Sequence, residues 1–333
     1  MKPFNYFRPK TLKEAIDAVA TDPEARFIAG GTNLIDLMKR GIVSPGKLVD
    51  INHLPLKRIE RKTGFLRIGA LALNSEVVNH KLITEKHPLL VQALNAGASG
   101  QLRNMATVGG NILQQTRCTY FYDKVFPCNK REPGAGCSAL EGVNRMHAIF
   151  GIGEKEGRAK SCIAVNPSDL NVALAALDTI VVVSGPKGER RIAFHDFHRL
   201  PGERPDLNTN LGKDELIIAI EIPDSNFTKH VHYLKVRDRA SYAFALVSVA
   251  VGLNIEFNRI KAVRLAMGGV AHKPWRLYEA ENLLLNESVS ETVFQKAAEI
   301  AMKDAVAFGH NAYKLKIGSN AIVHALKVAA GIF

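Results

Sequence analysis

Residues 27–34 read Phe27-Ile28-Ala29-Gly30-Gly31-Thr32-Asn33-Leu34. This order of residues predicts a strand, a tight double-glycine turn and the start of a helix. Glycines lack a Cβ and let a ligand approach the backbone, and free N–H groups at a helix start attract phosphate. The segment is not G-x-G-x-x-G, so it does not indicate a Rossmann dinucleotide site. Taken alone, it is better explained as a structural turn than as a binding loop.

A second glycine pair lies in residues 103–111, which read Arg103-Asn104-Met105-Ala106-Thr107-Val108-Gly109-Gly110-Asn111. Here too, two glycines stand beside a hydroxyl and an amide. Two such turns can clasp a pyrophosphate from both sides, with neutral donors making most of the contacts. The two motifs together therefore favour a phosphate-bearing ligand.

Two further segments carry charged residues beside apolar ones. They read Asn166-Pro167-Ser168-Asp169-Leu170-Asn171 and Tyr233-Leu234-Lys235-Val236-Arg237-Asp238-Arg239-Ala240-Ser241-Tyr242-Ala243. Taken alone, Asp169 is explained as a helix cap, and the second segment as an exposed sheet edge.

All four cysteines of the chain lie between Cys118 and Cys162, in the pattern C-x9-C-x8-C-x24-C formed with Cys128 and Cys137. Four thiolates match the ligand count of a tetrahedral metal site or an iron–sulfur cluster. The spacing matches neither the C-x2-C pairs of zinc ribbons nor the standard ferredoxin runs. Zinc and a pair of disulfides both remain open as alternatives.

Composition limits the other possibilities. Hydrophobic residues make up 47% and charged residues 23% of the 333 residues, which is ordinary for a globular protein of two or three domains. The net charge is +12, but the basic residues are spread along the chain, so we expect no nucleic-acid site. No apolar run approaches the roughly 20 residues that span a bilayer. The segment Met1 to Lys10 lacks the apolar core of a secretory signal.

The chain predicts a mixed α and β organisation. Strands and helices alternate up to residue 115, and residues 116–160 have turn residues and charges but little periodicity, which is typical of a long functional insertion. Pro223 is a plausible domain boundary. The predicted strands beyond it are 230–236, 244–255 and 263–268, followed by helices near 275–285, 289–307 and 314–330.

Together, the four quoted segments resemble the FAD-binding (medium) subunit of the xanthine dehydrogenase family of molybdenum hydroxylases, over nearly the whole chain. The resemblance implies an α+β fold, with an FAD-binding PCMH-type (vanillyl-alcohol-oxidase-like) domain in two α/β subdomains. A C-terminal three-stranded antiparallel sheet with a helical bundle would follow. The implied domains are 1–224, with subdomains at about 1–54 and 55–224 and a cysteine-bearing insertion at about 116–162, and then 225–333.

By this resemblance FAD contacts the two glycine segments and three later residues. Asp169 matches an aspartate that contacts the flavin ring, Lys235 matches a flavin-contacting lysine, and Ile217, in D-E-L-I-I-A-I-E-I-P, matches a strand residue packed on the ring. The implied FAD-binding residues are Phe27, Ile28, Ala29, Gly30, Gly31, Thr32, Asn33, Leu34, Arg103, Asn104, Thr107, Gly109, Gly110, Asn111, Asp169, Ile217 and Lys235.

The cysteine insertion resembles those of two groups in the family: the 4-hydroxybenzoyl-CoA reductases and the flavin subunits of bacterial periplasmic aldehyde oxidoreductases. The runs R-C-T-Y-F-Y-D, P-C-N-K-R and G-G-V-A-H-K-P-W-R are more similar to the second group. That resemblance implies that Cys118, Cys128, Cys137 and Cys162 hold a [4Fe–4S] cluster. We expect ordinary structural roles for His147, His195 and His198.

The resemblance also implies an electron-transfer subunit without catalytic side chains of its own. We expect a heterotrimer with a [2Fe–2S] iron–sulfur subunit and a molybdenum-cofactor subunit, passing electrons through FAD to an external acceptor. The alternatives are a reductase of the hydroxybenzoyl-CoA type, a stand-alone flavoenzyme and a non-enzymatic zinc-bearing module. The expected compartment is the periplasm, reached by co-export with a signal-bearing partner, with the cytoplasm as the alternative.

Overall fold

The structure, a computed structural model, describes residues 1–152 and 162–332. The chain begins with a parallel three-stranded sheet of order β1-β3-β2 and two helices. Their bounds are Asn5–Phe7 (β1), Leu12–Ala20 (α1), Ala25–Ile28 (β2), Leu34–Lys39 (α2) and Lys47–Asp50 (β3). Helix α1 begins where the hydroxyl of Thr11 accepts a hydrogen bond from the N–H of Glu14. Its apolar face, Ala15, Ile16 and Val19, is buried.

A five-stranded antiparallel sheet of order β4-β5-β8-β6-β7 forms the centre of the first domain. Its strands are Ile59–Lys62 (β4), Phe65–Gly69 (β5), Ile180–Gly185 (β6), Gly188–Ala193 (β7) and Leu216–Pro223 (β8). Glu221 of β8 is buried and pairs with Arg67 of β5 at 2.6 Å and with Arg191 of β7. One carboxylate thus links three strands of the sheet.

Helices connect and cover this sheet. They are Asn74–Asn79 (α3), Lys81–Lys86 (α4), Pro88–Ala96 (α5), Gly100–Arg103 (α6), Val108–Ile112 (α7), Thr119–Tyr122 (α8), Asp169–Ala176 (α9) and Phe194–Phe197 (α10). Every residue of α9 is buried, because α9 packs against α5 and also against strands of the second domain. The hydroxyl of Ser168 caps α9 by accepting from the N–H of Asn171 at 3.1 Å.

The second domain is an antiparallel sheet covered by helices. Its elements are His230–Val236 (β9), Val247–Glu256 (β10), Arg259–Gly268 (β11), Trp275–Arg276 (β12), Tyr278–Leu284 (α11), Glu291–Met302 (α12) and Tyr313–Ala330 (α13). The predicted three strands are present, and the two-residue β12 extends the sheet at its β11 edge. Among the helices described, none has the length and apolar character that a bilayer crossing requires.

Four predicted boundaries differ from the structure by three residues or more. The strand predicted at 263–268 begins at Arg259, because residues 259–262 continue the pairing with β10 past a register shift. The strand predicted from residue 244 begins at Val247, because residues 243–245 border the cleft between the domains. The helix predicted from residue 275 begins at Tyr278, because Trp275 and Arg276 pair with β11. The helix predicted at 289–307 covers only Glu291–Met302 and is capped by the hydroxyl of Ser290.

The cysteine-bearing segment is held between the two domains. The N–H groups of Ile149 and Phe150 donate to the carbonyl of Val270 at 2.8 and 3.0 Å, and the N–H of Val306 donates to the carbonyl of Ile149 at 2.8 Å. Asn144 Nδ2 donates to the carbonyl of Phe308 at 2.6 Å. Residues 153–161 of the predicted insertion lie outside the described residues. The described part of the insertion, residues 116–152 and 162, is therefore held in place by hydrogen bonds to the C-terminal domain. We call this part of the chain the seam.

A pair of glycine substitutions tests the close approach of the two glycine segments. A Cβ on Gly30 would fall far inside the contact distance of the Met105 carbonyl, whereas a Cβ on Gly100 would meet nothing within 4 Å. We expect Gly30→Ala to lower the free energy of unfolding by about 2–3 kcal/mol through overpacking. Gly100→Ala, in α6, should leave it unchanged or raise it by about 0.5–1 kcal/mol. Urea midpoints measure both, and equal midpoints would refute the contact.

Candidate flavin cleft and cysteine cluster

A cleft of about 420 Å³ opens between the two domains. Its walls come from the first turn of α2, the C-terminal ends of α5 and α7, the start of α9 and the loop between β9 and β10. Seven of the residues predicted to bind FAD line it: Thr32, Asn33, Arg103, Gly110, Asn111, Asp169 and Lys235. Both glycine segments and both charged segments therefore contribute to one cleft.

The other ten predicted residues lie behind the wall or away from it. Phe27 and Ile28 belong to β2, Ala29 packs on the core beneath it, and Leu34 begins α2. Gly30 lies against Met105, Gly31 has a φ of 71° that favours glycine, and Gly109 lies against Ala70. Thr107 is buried and caps α7, Asn104 is exposed at the end of α6, and Ile217 is buried in β8. Contact of these ten with FAD stays a prediction.

The two glycine segments are tied together at the cleft. Asn33 Oδ1 accepts a hydrogen bond from the N–H of Gln115 at 2.9 Å, which joins the start of α2 to the chain just after α7. Asn111 Oδ1 accepts from the hydroxyl of Ser168 at 2.7 Å, which joins α7 to the cap of α9. These bonds fix the width of the cleft.

Two buried amide atoms at the cleft have no hydrogen-bond partner among the described residues: the donor Asn33 Nδ2 and the acceptor Asn74 Oδ1. The hydroxyl of Tyr122 lies near Asn33 but makes no hydrogen bond within the described structure. A buried polar atom without a partner costs about 1–3 kcal/mol. These atoms are therefore suited to a polar ligand that enters the cleft.

A buried ion pair forms the floor of the cleft. Lys235 Nζ lies 2.8 Å from Asp169 Oδ2, and their side chains are only 3% and 8% exposed. The hydroxyl of Tyr233 donates to Asp169 Oδ1 at 2.8 Å, and Lys235 also donates to the carbonyl of Ala96 at 3.0 Å. Burial and the negative charge of Asp169 raise the pKa of Tyr233 well above its usual value. The carboxylate of Asp169 is thus held in place by Lys235 on one oxygen and by Tyr233 on the other.

The end of α5 needs a glycine beside this ion pair. A Cβ on Gly97 would approach Asp169 Oδ2 to 3.2 Å. Arg103 Nη1 donates to the carbonyl of Gly97 at 2.8 Å and so braces the same turn. Arg103 therefore lines the cleft, and its Nη1 already donates a hydrogen bond to the Gly97 carbonyl.

A smaller, largely apolar chamber of about 240 Å³ adjoins the cleft. The two spaces share Arg117, Pro167, Asp169 and Phe244 as wall residues. The guanidinium of Arg117 lies 5.0 Å from the ring centre of Phe244, a cation–π contact. Sequence reasoning missed Asn74, Arg117 and Phe244, although Arg117 directly precedes a cysteine and Phe244 follows the charged segment.

The four cysteines are all free thiols and lie close together. Cys128 and Cys137 face each other in an isolated antiparallel bridge. Burial, with a smaller contribution from the nearby thiols, raises the pKa of Cys118 to about 11 and that of Cys162 to about 12. Backbone N–H groups bond to three of the sulfur atoms, with Phe121 on Cys118, Ala139 on Cys137 and Ala164 on Cys162.

Two basic side chains accompany the thiols. Lys130 is buried and donates a hydrogen bond to the carbonyl of Pro205 at 2.9 Å. It also lies close enough to Cys162, Cys128 and Cys118 to interact with them electrostatically. His147 Nε2 lies 3.1 Å from Cys118 Sγ, a contact that the sequence did not predict. His198 is buried against the carbonyl of Ile112, and His195 is exposed. Neither contacts a cysteine in the described structure.

Comparison with known proteins accounts for the cleft. Residues 2–225 match the model of the FAD binding domain in molybdopterin dehydrogenase, and residues 232–329 match the CO dehydrogenase flavoprotein C-terminal domain. The chain is an FAD-binding medium subunit of the molybdenum hydroxylase family. The resemblance found in the sequence is thereby confirmed, as is the expectation of an oxidoreductase subunit. A non-enzymatic zinc-bearing module is removed as an alternative.

Individual relatives align along almost the entire chain. The aldehyde oxidoreductase FAD-binding subunit PaoB of Escherichia coli is 46% identical over 333 residues, which is 99% of each chain. The glyceraldehyde dehydrogenase medium chain of Sulfolobus acidocaldarius is 27% identical over 89% of this chain and 85% of its own. A carbon monoxide dehydrogenase structure from Hydrogenophaga pseudoflava superimposes with a TM-score of 0.77 at 23% identity, covering 99% of both chains. The latter confirms the fold.

The residues of the cleft fit FAD. Glycine turns and the unpaired amide of Asn33 suit a diphosphate, while the apolar chamber suits a flat ring. Bound FAD supplies one- and two-electron chemistry that side chains lack. The cleft residues would hold the dinucleotide and place the Lys235–Asp169 pair beside it.

An Asn33→Asp substitution tests the diphosphate position. It keeps the acceptor for Gln115 but replaces the unpaired donor by a negative charge. At about 6 Å and an effective dielectric of 20, repulsion costs roughly 3 kcal/mol, so FAD should bind about 100-fold more weakly. Flavin fluorescence titration of the apoprotein measures this. Asn95→Asp, at an exposed position of α5 that does not line the cleft, is the matched control and should bind FAD normally. Equal affinity in both variants would contradict the assignment.

Proposed function

We propose that this chain is the FAD-binding electron-transfer subunit of a molybdenum-dependent aldehyde oxidoreductase. The observation that carries the proposal is the full-length similarity to the aldehyde oxidoreductase subunit of E. coli, together with a cleft that fits FAD. The substrate is oxidised on a molybdenum-cofactor subunit. Electrons then pass through a [2Fe–2S] subunit to FAD and on to an external acceptor.

The paired state of Asp169 supports this division of labour. Each of its two carboxylate oxygens accepts a hydrogen bond, one from Tyr233 and one from Lys235, and these bonds hold the carboxylate in place. The cleft therefore serves to bind and tune a cofactor. We infer a heterotrimer, in which acidic surfaces of the partners would offset the +12 charge of this chain.

We further propose that the four cysteines hold a [4Fe–4S] cluster within this subunit. Backbone N–H groups directed at the sulfur atoms stabilise thiolates, as they do around iron–sulfur clusters. Buried thiols with raised pKa values stay protonated at neutral pH, so metal must displace their protons. The four sulfur positions thus suit a site that is completed by metal.

Lys130 supports an anionic centre at the cysteines. A buried lysine without a strong counter-charge is costly. Burial lowers the pKa of Lys130, and the opposing charges that favour its protonated form come first from Cys162 and Cys128, then from Asp206. Thiolate-ligated iron would supply the missing negative charge.

Zinc is the alternative occupant of the four cysteines. In the described residues, which include all four cysteines, no three side chains of the metal-binding types surround one ion position. A single zinc ion would draw all four thiolates to about 2.3 Å from one centre, whereas a cubane distributes them over four irons. Metal analysis of the assembled complex distinguishes the two groups.

We also propose a periplasmic location, reached by co-export with a partner that carries the signal. The support is the resemblance of the cysteine segment to flavin subunits of periplasmic aldehyde oxidoreductases. Cell fractionation with and without the partner genes tests this. Recovery of the assembled complex in the cytoplasmic fraction would favour the alternative compartment.

Serine substitutions at the cysteines test the cluster. Replacing Cys118, Cys128, Cys137 or Cys162 singly should remove or remodel the iron centre, because a hydroxyl is a poorer ligand for iron–sulfur groups. FAD content should stay close to one per chain. Iron analysis and electron paramagnetic resonance measure the outcome in the assembled complex, with Thr119→Ser as a control on the same turn. One zinc and no iron in the unmodified complex would refute the cluster.

Aldehyde turnover tests the division of labour. The isolated, FAD-loaded chain should reduce no acceptor at the expense of an aldehyde, because it has no substrate-oxidising centre. Co-expression with both partner subunits should give a co-purifying complex that restores turnover. Steady-state assays with and without the partners measure the difference. Aldehyde oxidation by the chain alone would overturn the proposal.

A further inference from the structure

The side chain of His147 is placed to act on the cysteine centre. It is buried, with 4% exposed, and Nε2 lies 3.1 Å from Cys118 Sγ. The ring is tilted against Tyr120, with ring centres 6.3 Å apart. Of the four cysteines, Cys118 is the one that also borders the apolar chamber beside the flavin cleft.

The surroundings of the His147 ring favour a proton on Nε2, the nitrogen that faces the sulfur. Nδ1 is buried and has no hydrogen-bond partner among the described residues. A proton on Nδ1 would leave a buried donor unsatisfied and would aim a lone pair at a thiolate. The Nε2–H form instead gives the thiolate a donor.

The backbone of His147 is held by the C-terminal helix. Lys314 Nζ, in α13, donates to the carbonyl of His147 at 2.9 Å and to that of Gly269 at 2.6 Å. The N–H of His147 donates to the carbonyl of Asn144 at 3.0 Å. Lys314 is fully buried. These contacts fix the ring against the sulfur without involving another cysteine.

We propose that His147 donates a hydrogen bond from Nε2 to the Cys118 thiolate and raises the reduction potential of the iron–sulfur centre. The inference rests on the cluster of the proposed function. One electron enters the cluster from a reduced partner centre, and the His147 proton stays on Nε2. Because the added charge lies partly on the sulfur, the hydrogen bond strengthens on reduction and favours the reduced state.

The test is a potentiometric titration of the assembled complex, followed by electron paramagnetic resonance. His147→Phe and His147→Leu remove the donor, whereas His147→Gln keeps an N–H of similar reach. We expect the two donor-free variants to lower the ratio of reduced to oxidised cluster about tenfold at a fixed potential, equivalent to ~59 mV for one electron. His147→Gln should recover most of that shift.

His87→Phe is the matched control, because His87 is equally buried but its charged neighbours are Asp224, Arg61 and Lys86. An unchanged potential in donor-free variants that retain iron overturns the inference. Loss of iron from both donor-free variants, with iron retained in His147→Gln, supports the inferred hydrogen bond. Loss of iron from all three variants shows that His147 acts through packing and overturns the inference. Absence of iron in the unmodified complex refutes the cluster itself and is thereby distinguished from failure of the His147 assignment.

Discussion

The buried ion pair between Asp169 and Lys235 joins the two domains at the floor of the cleft. Asp169 begins α9 of the first domain, and Lys235 lies in β9 of the second. Removing one partner of such a pair costs about 3–5 kcal/mol, because the other charge is left buried and unpaired. Gly97, the cap of α9 and the cleft floor are all arranged around this contact. The shape of the flavin cleft therefore depends on it.

The sequence motifs indicated where backbone segments approach each other, but they were less informative about which side chains line the cleft. Glycine pairs report where chains approach closely, and the structure places Gly30 against Met105 and Gly109 against Ala70. They do not report which neighbouring side chain faces the ligand. Of the first segment, only Thr32 and Asn33 line the cleft. Ile217, expected to pack on the ring, is buried in β8, and its contact with FAD stays a prediction. Alternation along a strand that is buried on both faces does not reveal which side chains point towards the ligand.

Residues brought together by long-range contacts could not be predicted from spacing. His147 lies 29 residues from Cys118 and matches no metal-ligand motif. Its position is set by the C-terminal domain, through the pairing of Ile149 with Val270 and the bonds from Lys314. The cysteines of the insertion can be read from the sequence, but its lack of periodicity did not indicate that the segment packs against the C-terminal domain. The packing of the insertion and the position of His147 depend on contacts between residues far apart in the sequence.

The position of the seam constrains the order in which parts of the molecule can fold during synthesis. The chain emerges from the ribosome with its N-terminus first, so all four cysteines are synthesised well before Val270, Val306 and Lys314. Until those residues appear, the segment containing Cys118 lacks the strand edge and the helix that hold it. The arrangement of residues around Cys118 seen in the folded chain is therefore completed only after α13 has been translated. The folding of a segment near the middle of the polypeptide thus depends on the last helix to be synthesised.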